Sequence, residues 1–440
     1  MAIDPPPCNS SSCGVFSSFA HVTSLGDEWQ TTLFNQLCFD PSLSAPRRSR
    51  WVLPYTRAQP NASKHKAPAL VRFPLTFLPS ETGGWGSGGE VVGGVSFIAD
   101  LRHAGGGPPG IAHFAKRMLR LHALQIRAGE LGLPRVGRVV FPATSSSQLS
   151  TGWPRALLAL IAPLASTLPS DHLTTHPRCF AHAITSSREN TYFTRPADAH
   201  ELRAKAYLTS LLPLSRPPCA PLRGCYIQRA QGGRANTGTW EGGPRTVANW
   251  EGVVRQMKRI VAAVAPGGRV EIVRVNSSMS FAAQVREFAS CDALCSVHGS
   301  QNANVMFMRP GSSFMEINPY KFFYSSYEAL ATVANVRYMS SRLNSIHKEG
   351  MSRKALAQAQ RTSCLLAPLL CVETADISPL SCFAEEFERA FGSKTDDWCQ
   401  ENGKCRKLAR NFPTLVNLSS FEEEFTKGVR HAAKQLRGCQ

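Results

Sequence analysis

From Gly224 to Met339 the chain alternates short apolar runs with amphipathic stretches, and few architectures accommodate that alternation. Strands are expected at Gly224 to Gln228, Val270 to Val275, Asp292 to Val297, Phe314 to Ile317 and Val336 to Met339. Between them, Trp250, Val253, Val254, Met257, Ile260, Val261 and Val264 form one helical stripe, and Phe281, Val285 and Phe288 another, with a third helix near Tyr327 to Val333. Repeated β-α-β units require crossover connections, so they imply a parallel, doubly wound sheet. Such sheets place ligands at the carboxyl ends of their strands.

Upstream the alternation is more ragged. A strand is expected at Val95 to Asp100, between glycine-rich loops at Gly83 to Gly94 and Gly105 to Gly110. Next come a helix from Ile111 to Arg127, a strand at Val136 to Phe141, a helix from Trp153 to Leu164, a strand at Cys179 to Ile184 and a helix from Asp198 to Leu212. Prolines 213, 217, 218 and 221 mark a boundary. The expected division is a loop-rich extension over 1–60, an α/β domain over 61–215, a Rossmann-like domain over 216–345, and a helical, cysteine-containing extension over 346–440. In that last part Phe383, Phe387 and Phe391 recur every four residues, and a final helix is expected near Phe421 to Leu436.

At 440 residues and 43% hydrophobic the chain can bury a large core, and 18% charged residues exclude a disordered or coiled-coil composition. The net charge of +18 is spread along the chain without a long Lys/Arg tract, which argues against a nucleic-acid partner. Attraction to acidic membranes or glycans, or simply solvated surface, remain as readings of that charge. Of fourteen cysteines, Cys399 and Cys405 bracket a loop that a disulfide would close, whereas Cys291 and Cys295 read as small buried hydrophobes. With the sequons at Asn9, Asn61, Asn276 and Asn417, this favours a secretory lumen. The start, Met1-Ala2-Ile3-Asp4-Pro5, lacks a signal-peptide pattern and no window spans a membrane, so either the protein is cytosolic or the sequence begins downstream of an anchor.

The candidate chemistry lies at strand ends. His298-Gly299-Ser300-Gln301-Asn302-Ala303-Asn304 follows the strand ending at Val297 and enters a short helix, where free backbone N–H groups suit an anion. His298 can donate to a diphosphate, act as an acid or base, or cap the strand; Gly299 allows close approach of a ligand. Gln301, Asn302 and Asn304 can supply amide donors or cap the following helix. Arg229 and Arg234, after the strand ending at Gln228, can grip phosphate oxygens or be ordinary surface arginines. Glu316, at the end of the next strand, can accept from ribose hydroxyls. Asp100 and His113 are weaker candidates for the base that deprotonates an acceptor hydroxyl. Asp-x-Asp, Walker and Gly-x-Ser-x-Gly patterns are all absent, which disfavours a metal clamp, an ATPase and a serine hydrolase.

His298-Gly299, Asn304, Phe307, Pro310-Gly311 and Glu316-Ile317-Asn318-Pro319, with the Ser280-Phe281 to Phe288 helix before them, resemble glycosyltransferase family 61. Ser300-Gln301-Asn302-Ala303 departs from the family's usual loop and, with Asn318-Pro319-Tyr320, looks more like the branch holding the protein O-linked-mannose β-1,4-N-acetylglucosaminyltransferase. The resemblance implies a GT-B architecture: two Rossmann-like domains facing a cleft, and inverting transfer without a metal or other cofactor. The implied partners are a nucleotide sugar, UDP-linked, and a glycan or glycoprotein acceptor, in the Golgi or endoplasmic reticulum, with a membrane anchor upstream. The implied donor site is Arg229, Arg234, His298, Gly299, Ser300, Gln301, Asn304 and Glu316, with the base drawn from His113 and Asp100. A catalytically inactive glycan- or polyanion-binding protein of the same fold is the alternative that the variant loop and the positive charge leave open.

Overall fold

The computed structural model describes strand segments 19–22, 31–39, 51–55 and 76–79, then residues 90–99, 111–130, 135–142, 144–150, 152–173, 178–186, 195–214, 220–229, 247–276, 278–323, 325–341, 344–346 and 414–436, with isolated positions near 400. The chain divides into two compact units, Met1–Asp198 and Ala199–Gln440.

The first unit carries an eight-stranded mixed sheet. Its strands are β1 (Phe19–Val22), β2 (Thr31–Phe39), β3 (Trp51–Tyr55), β4 (Thr76–Pro79), β5 (Glu90–Ile98), β6 (Val136–Phe141), β7 (Ser166–Pro169) and β8 (Arg178–Ser186). The order is β4-β3-β2-β8-β5-β6-β7, with β1 beside β2. β5 runs parallel to β6 and β8, while β2 pairs antiparallel with β1, β3 and β8. β1, β2 and β3 fall within 1–60, the stretch the sequence reading expected as a loop-dominated extension. The run Thr31-Thr32-Leu33-Phe34 has strand-favouring side chains but no clean alternation, and the partner that pairs with most of its length, β8, lies far along the chain. β5 likewise starts at Glu90, inside the expected glycine-rich loop, and takes up Gly93-Gly94 where its register against β8 shifts between Val92 and Val95. Helices α1 (Ile111–Ile126), α2 (Ser146–Leu149) and α3 (Gly152–Ile161) belong to this unit. Phe114, Met118, Leu121 and Leu124 of α1 are buried as their spacing predicts, and Phe114 stacks on Phe141 with centroids 6.0 Å apart.

Helix α4 (Pro196–Thr209) spans the division, ahead of the proline-rich stretch. Beyond it the second unit holds a five-stranded, fully parallel sheet of β9 (Arg223–Arg229), β10 (Arg269–Val275), β11 (Ala293–Val297), β12 (Ser313–Ile317) and β13 (Arg337–Ser341). All five expected strands are present. Their spatial order is β10-β9-β11-β12-β13, the 2-1-3-4-5 winding in which connections leave in opposite directions from β9 and β11.

One face of the sheet packs on α5 (Trp250–Val264) and on the last helix, α8 (Leu418–Leu436). Val253, Met257, Ile260 and Val261 of α5 meet Cys295, Val297, Met315 and Ile317 there, with Phe421, Phe425 and Val429 of α8. Each such buried side chain contributes about 1.5–3 kcal/mol. The preceding stripe at three- and four-residue spacing is what selects helix rather than strand for 250–264. α6 (Phe281–Ala289) is capped by Ser280, whose hydroxyl accepts from the Ala283 N–H at 3.1 Å. α7 (Ser326–Val333) and a 3-10 helix, Ser300–Phe307, complete the unit. β11 and β12 are buried along their whole length, which is why they read as continuous apolar runs.

Cys399 and Cys405 form the expected disulfide. Cys291 does not behave as a simple buried hydrophobe: it is bonded to Cys225 of β9 across a separation of 66 residues. Cys295 is a buried free thiol, as read from sequence, and burial pushes its pKa up. Among the described residues no helix is long and apolar enough to cross a membrane.

Candidate functional site

In a 2-1-3-4-5 sheet the crevice opens at the carboxyl ends of the two strands where the winding reverses, here β9 and β11. β9 ends at Arg229, whose backbone pairs with Val275 of β10; its side chain, and all of Arg234, lie outside the described residues. β11 ends at Val297 and delivers His298, whose N–H donates to the Ile317 carbonyl at 2.9 Å. The chain then enters the 3-10 helix at Ser300.

The side-chain chemistry centres on Glu316. Its carboxylate is fully buried and meets His298 Nδ1 at 2.7 Å through Oε1 and the Tyr338 hydroxyl at 2.7 Å through Oε2. Tyr338 comes from β13, where Ser340 pairs with Glu316 and Phe314 pairs with Tyr338. Alternate residues share a face, so Tyr338 and Glu316 lie on the same side of the sheet, opposite the Met315 and Ile317 core. Burial first, then the Glu316 carboxylate, pushes the Tyr338 phenol well up, so the phenol stays protonated and donates. The His298 ring is packed edge-on against Phe322 at 4.8 Å between centroids and lies 5.2 Å from the Tyr327 ring. A histidine held at one nitrogen by a carboxylate and boxed by two aromatic rings has one orientation.

The loop after His298 is tied inward. Gln301 Nε2 donates to the Val297 carbonyl at 3.2 Å and Ser296 Oγ at 3.3 Å. Asn302 Nδ2 reaches the same carbonyl at 3.2 Å, while its Oδ1 accepts from Ser296 Oγ at 2.8 Å. Asn304 Nδ2 donates to Gln284 Oε1 of α6 at 3.0 Å. Residues 301–307 are all buried, and a polar group removed from water must find partners inside. Ser300 is half-buried and is the most exposed residue of this helix. Gly299 has an extended backbone; its importance is space, since an added Cβ would sit 2.9 Å from Gln301 Cδ, on the carboxamide that holds the loop back. Gly311, by contrast, has φ +80° in the turn after Pro310, a conformation that suits glycine.

Of the candidate residues, His298, Gly299, Ser300, Gln301, Asn304 and Glu316 thus come together at one end of the sheet. Arg229 reaches the same end by its backbone. His113 sits on α1 in the first unit with its side chain outside the described residues, and Asp100 lies outside them entirely. Sequence reading missed Tyr338, Phe322 and Tyr327 as neighbours of His298 and Gln284 as the partner of Asn304. A cavity of about 200 Å³ lined by Asp292, Arg309, Ser312 and Gln435, among others, lies at the amino ends of β11 and β12, the wrong end of the sheet for a crevice of this fold. Among the described residues no three His, Cys, Asp or Glu side chains gather where they would hold a metal ion.

Residues 112–315 match the model of the family Glycosyltransferase 61. The matched region starts on α1 and ends on β12, one residue short of Glu316, so it includes the whole His298 loop. A match of this kind supports glycosyltransferase activity in general, with a nucleotide-sugar donor and a glycan acceptor in general. No curated protein matches this chain.

Proposed function

We propose that this protein is an inverting, metal-independent glycosyltransferase of GT-B type. In this reading it moves a sugar from a UDP-linked donor to a hydroxyl of a glycan or glycoprotein in the lumen of the secretory pathway. The observation that carries the reading is the buried His298–Glu316–Tyr338 set at the carboxyl end of a 2-1-3-4-5 sheet, within or beside the matched region. The disulfides support an oxidising compartment.

The acceptor oxygen attacks the anomeric carbon as the bond from that carbon to the diphosphate breaks; UDP leaves with the electron pair, and the acceptor proton passes to a base. His113 and Asp100 are the proposed bases. Charge then develops on the leaving diphosphate and must be met by oriented donors. His298, held through Nδ1 by Glu316, is the side chain this reading offers to the diphosphate. Ser300, the backbone N–H groups at the start of the 3-10 helix, Arg229 and Arg234 complete the proposed anion site. Glu316 is taken as a positioning residue acting through His298, because both of its oxygens accept within the protein and none of its surface is exposed. Gln301 and Asn304 hold the loop in the same way.

Thermal-shift measurements with UDP, GDP and CMP, alongside hydrolysis of UDP-sugars, test this reading. UDP at 100 times its dissociation constant stabilises by about 2.7 kcal/mol, and His298→Ala and Arg229→Ala should each shrink that shift. If no nucleotide stabilises the protein and no donor is turned over, while glycans still bind, the protein is a binding module of the same fold and the enzyme reading fails.

A further inference from the structure

Within the second unit, helix α4 carries two side chains whose hydrogen-bond partners are all carbonyls at helix ends. Arg203 is 4% exposed; its Nε donates to the Met306 carbonyl at 3.1 Å, in the last turn of the 3-10 helix, and its Nη2 donates to the Ala334 carbonyl at 2.6 Å, the residue that closes α7. Tyr207 is 1% exposed and its hydroxyl donates to the Phe307 carbonyl at 2.7 Å. Arg309, just past the 3-10 helix, in turn lays its guanidinium over the Tyr207 ring, 5.4 Å from the centroid.

These bonds satisfy carbonyls that a helix leaves unpaired at its carboxyl end, where the helix dipole also favours a cation. The arrangement is nonetheless an expensive way to fill a core. Burial pulls the Arg203 pKa down and pushes Tyr207 up to about 12, so the phenol remains a donor. A buried cation is replaced by apolar side chains without loss of stability in many folds, whereas a forked donor fixes geometry that an apolar contact does not. The geometry fixed here is specific. The 3-10 helix begins immediately after His298-Gly299, and α7 carries Tyr327, whose ring lies against His298. One guanidinium therefore locks together the far ends of the two elements whose near ends frame the histidine, across a helix on the order of 15 Å long.

We propose that Arg203 and Tyr207 are positioning residues: a clamp that sets the orientation of His298 and the entrance of its loop. In the reading of His298 as a diphosphate donor, on which this second step rests, the clamp also sets donor affinity.

Two readouts keep the two steps separate. The first needs no ligand: ring NMR signals of His298, assigned by their loss in His298→Gln, and amide exchange over residues 299–307, compared between the wild type and the Tyr207→Phe, Arg203→Lys and Arg203→Met variants. All samples are held where the variants are fully folded. The clamp predicts displaced or doubled His298 signals and faster exchange in the 3-10 helix, with Arg203→Met affected most and Arg203→Lys less. Unchanged signals in folded Arg203→Met and Tyr207→Phe would overturn it. If Arg203→Met does not fold, Tyr207→Phe, which removes a single hydroxyl, decides alone. The second readout is UDP binding by calorimetry. The dissociation constant should rise about three- to tenfold in Tyr207→Phe, the range for one net hydrogen bond. Failure of the wild type to bind any nucleotide would sink the glycosyltransferase reading and leave the clamp standing on its first readout; nucleotide binding that is equal in wild type and variants would sink the clamp's role in donor affinity alone.

Discussion

The two ends of the parallel sheet in the second unit are built from opposite materials. At the amino end, the Arg223 guanidinium meets Glu271 at 2.6 Å and Glu287 at 3.0 Å, its backbone N–H donates to Asp292 at 2.7 Å, and the Cys225–Cys291 disulfide ties β9 to the start of β11. The Arg223, Glu271 and Glu287 charges are partly exposed and paired with a charge of opposite sign, while Asp292 is buried and accepts from a backbone N–H. At the carboxyl end the carboxylate of Glu316 is fully buried and answered by a histidine and a phenol. A protein that needed only stability would put its pairs where water softens desolvation, as at the amino end. Burying a carboxylate to hold a histidine is the pattern of a site that fixes an orientation.

The largest effect expected of breaking this contrast lies at the amino end. Removing the disulfide with Cys225→Ala and Cys291→Ala releases a long loop in the unfolded chain, for which the chain-entropy account gives about 4 kcal/mol. Urea unfolding of the double variant should show that loss. Nucleotide affinity of the molecules that remain folded should be unchanged, because the bond is at the opposite end of the strands from His298. A large change in affinity at full folding would show that the two ends are not independent.

At the carboxyl end the ranking reverses: activity falls more than stability. His298→Ala should lower the rate of donor cleavage about 100- to 1,000-fold, the range for removing one donor to a developing anion. Glu316→Gln keeps the shape and loses the charge, and should cost about 10- to 100-fold, as loss of an orienting partner does. Steady-state hydrolysis of a UDP-sugar measures both. Equal losses in the two variants would mean that Glu316 does more than orient the ring.

What the sequence made legible follows the same division. The five strands, the α5 and α6 stripes and the last helix depend on local periodicity, and all are present. The Cys399–Cys405 bond closes a loop of near neighbours and was readable for that reason. The Cys225–Cys291 bond was not, because it depends on which strand lies beside β9. The His298 loop stood out through its glycine and its place after a strand. Tyr338 did not, since its reach to Glu316 is set by the register of β13 on β12, which no local pattern encodes. Gln301 and Asn304 looked like ligand donors because a sequence cannot show that Val297 and Gln284 have already engaged them. β2 escaped for the complementary reason: most of its length pairs with β8, far along the chain.

A smaller effect separates the ends by pH. Burial raises the phenols of Tyr338, Tyr226 and Tyr207 above their ordinary value, with Tyr207 at about 12. Below about pH 10, the ordinary tyrosine value, folded and unfolded states are both protonated at these positions and stability is flat. As pH rises further the unfolded chain releases its protons first, so the unfolded state is favoured and stability falls. Tyr338→Phe should make that fall shallower in denaturation curves recorded between pH 9 and 11. At neutral pH the same variant should cost about 1–3 kcal/mol, because the buried Glu316 oxygen loses its donor.

The smallest expected effect is at the exposed rim of the amino end. Hydrogen bonding from Arg223 holds the Glu271 carboxyl below its ordinary value, so its contribution is present above the unfolded value and is lost as pH falls through that range. The side chain of Glu271 is 37% exposed, and water and salt screen its pair. Glu271→Gln should therefore cost only about 0.5 kcal/mol at neutral pH and low salt, and less at 1 M salt. The Arg223 guanidinium would still have Glu287, which is why removing one of its two carboxylates stays cheap. Melting temperatures of the variant and the wild type in low and high salt read this difference directly. A loss of several kcal/mol that persists in high salt would show that the amino end, too, depends on a desolvated charge, and the contrast between the two ends of the sheet would collapse.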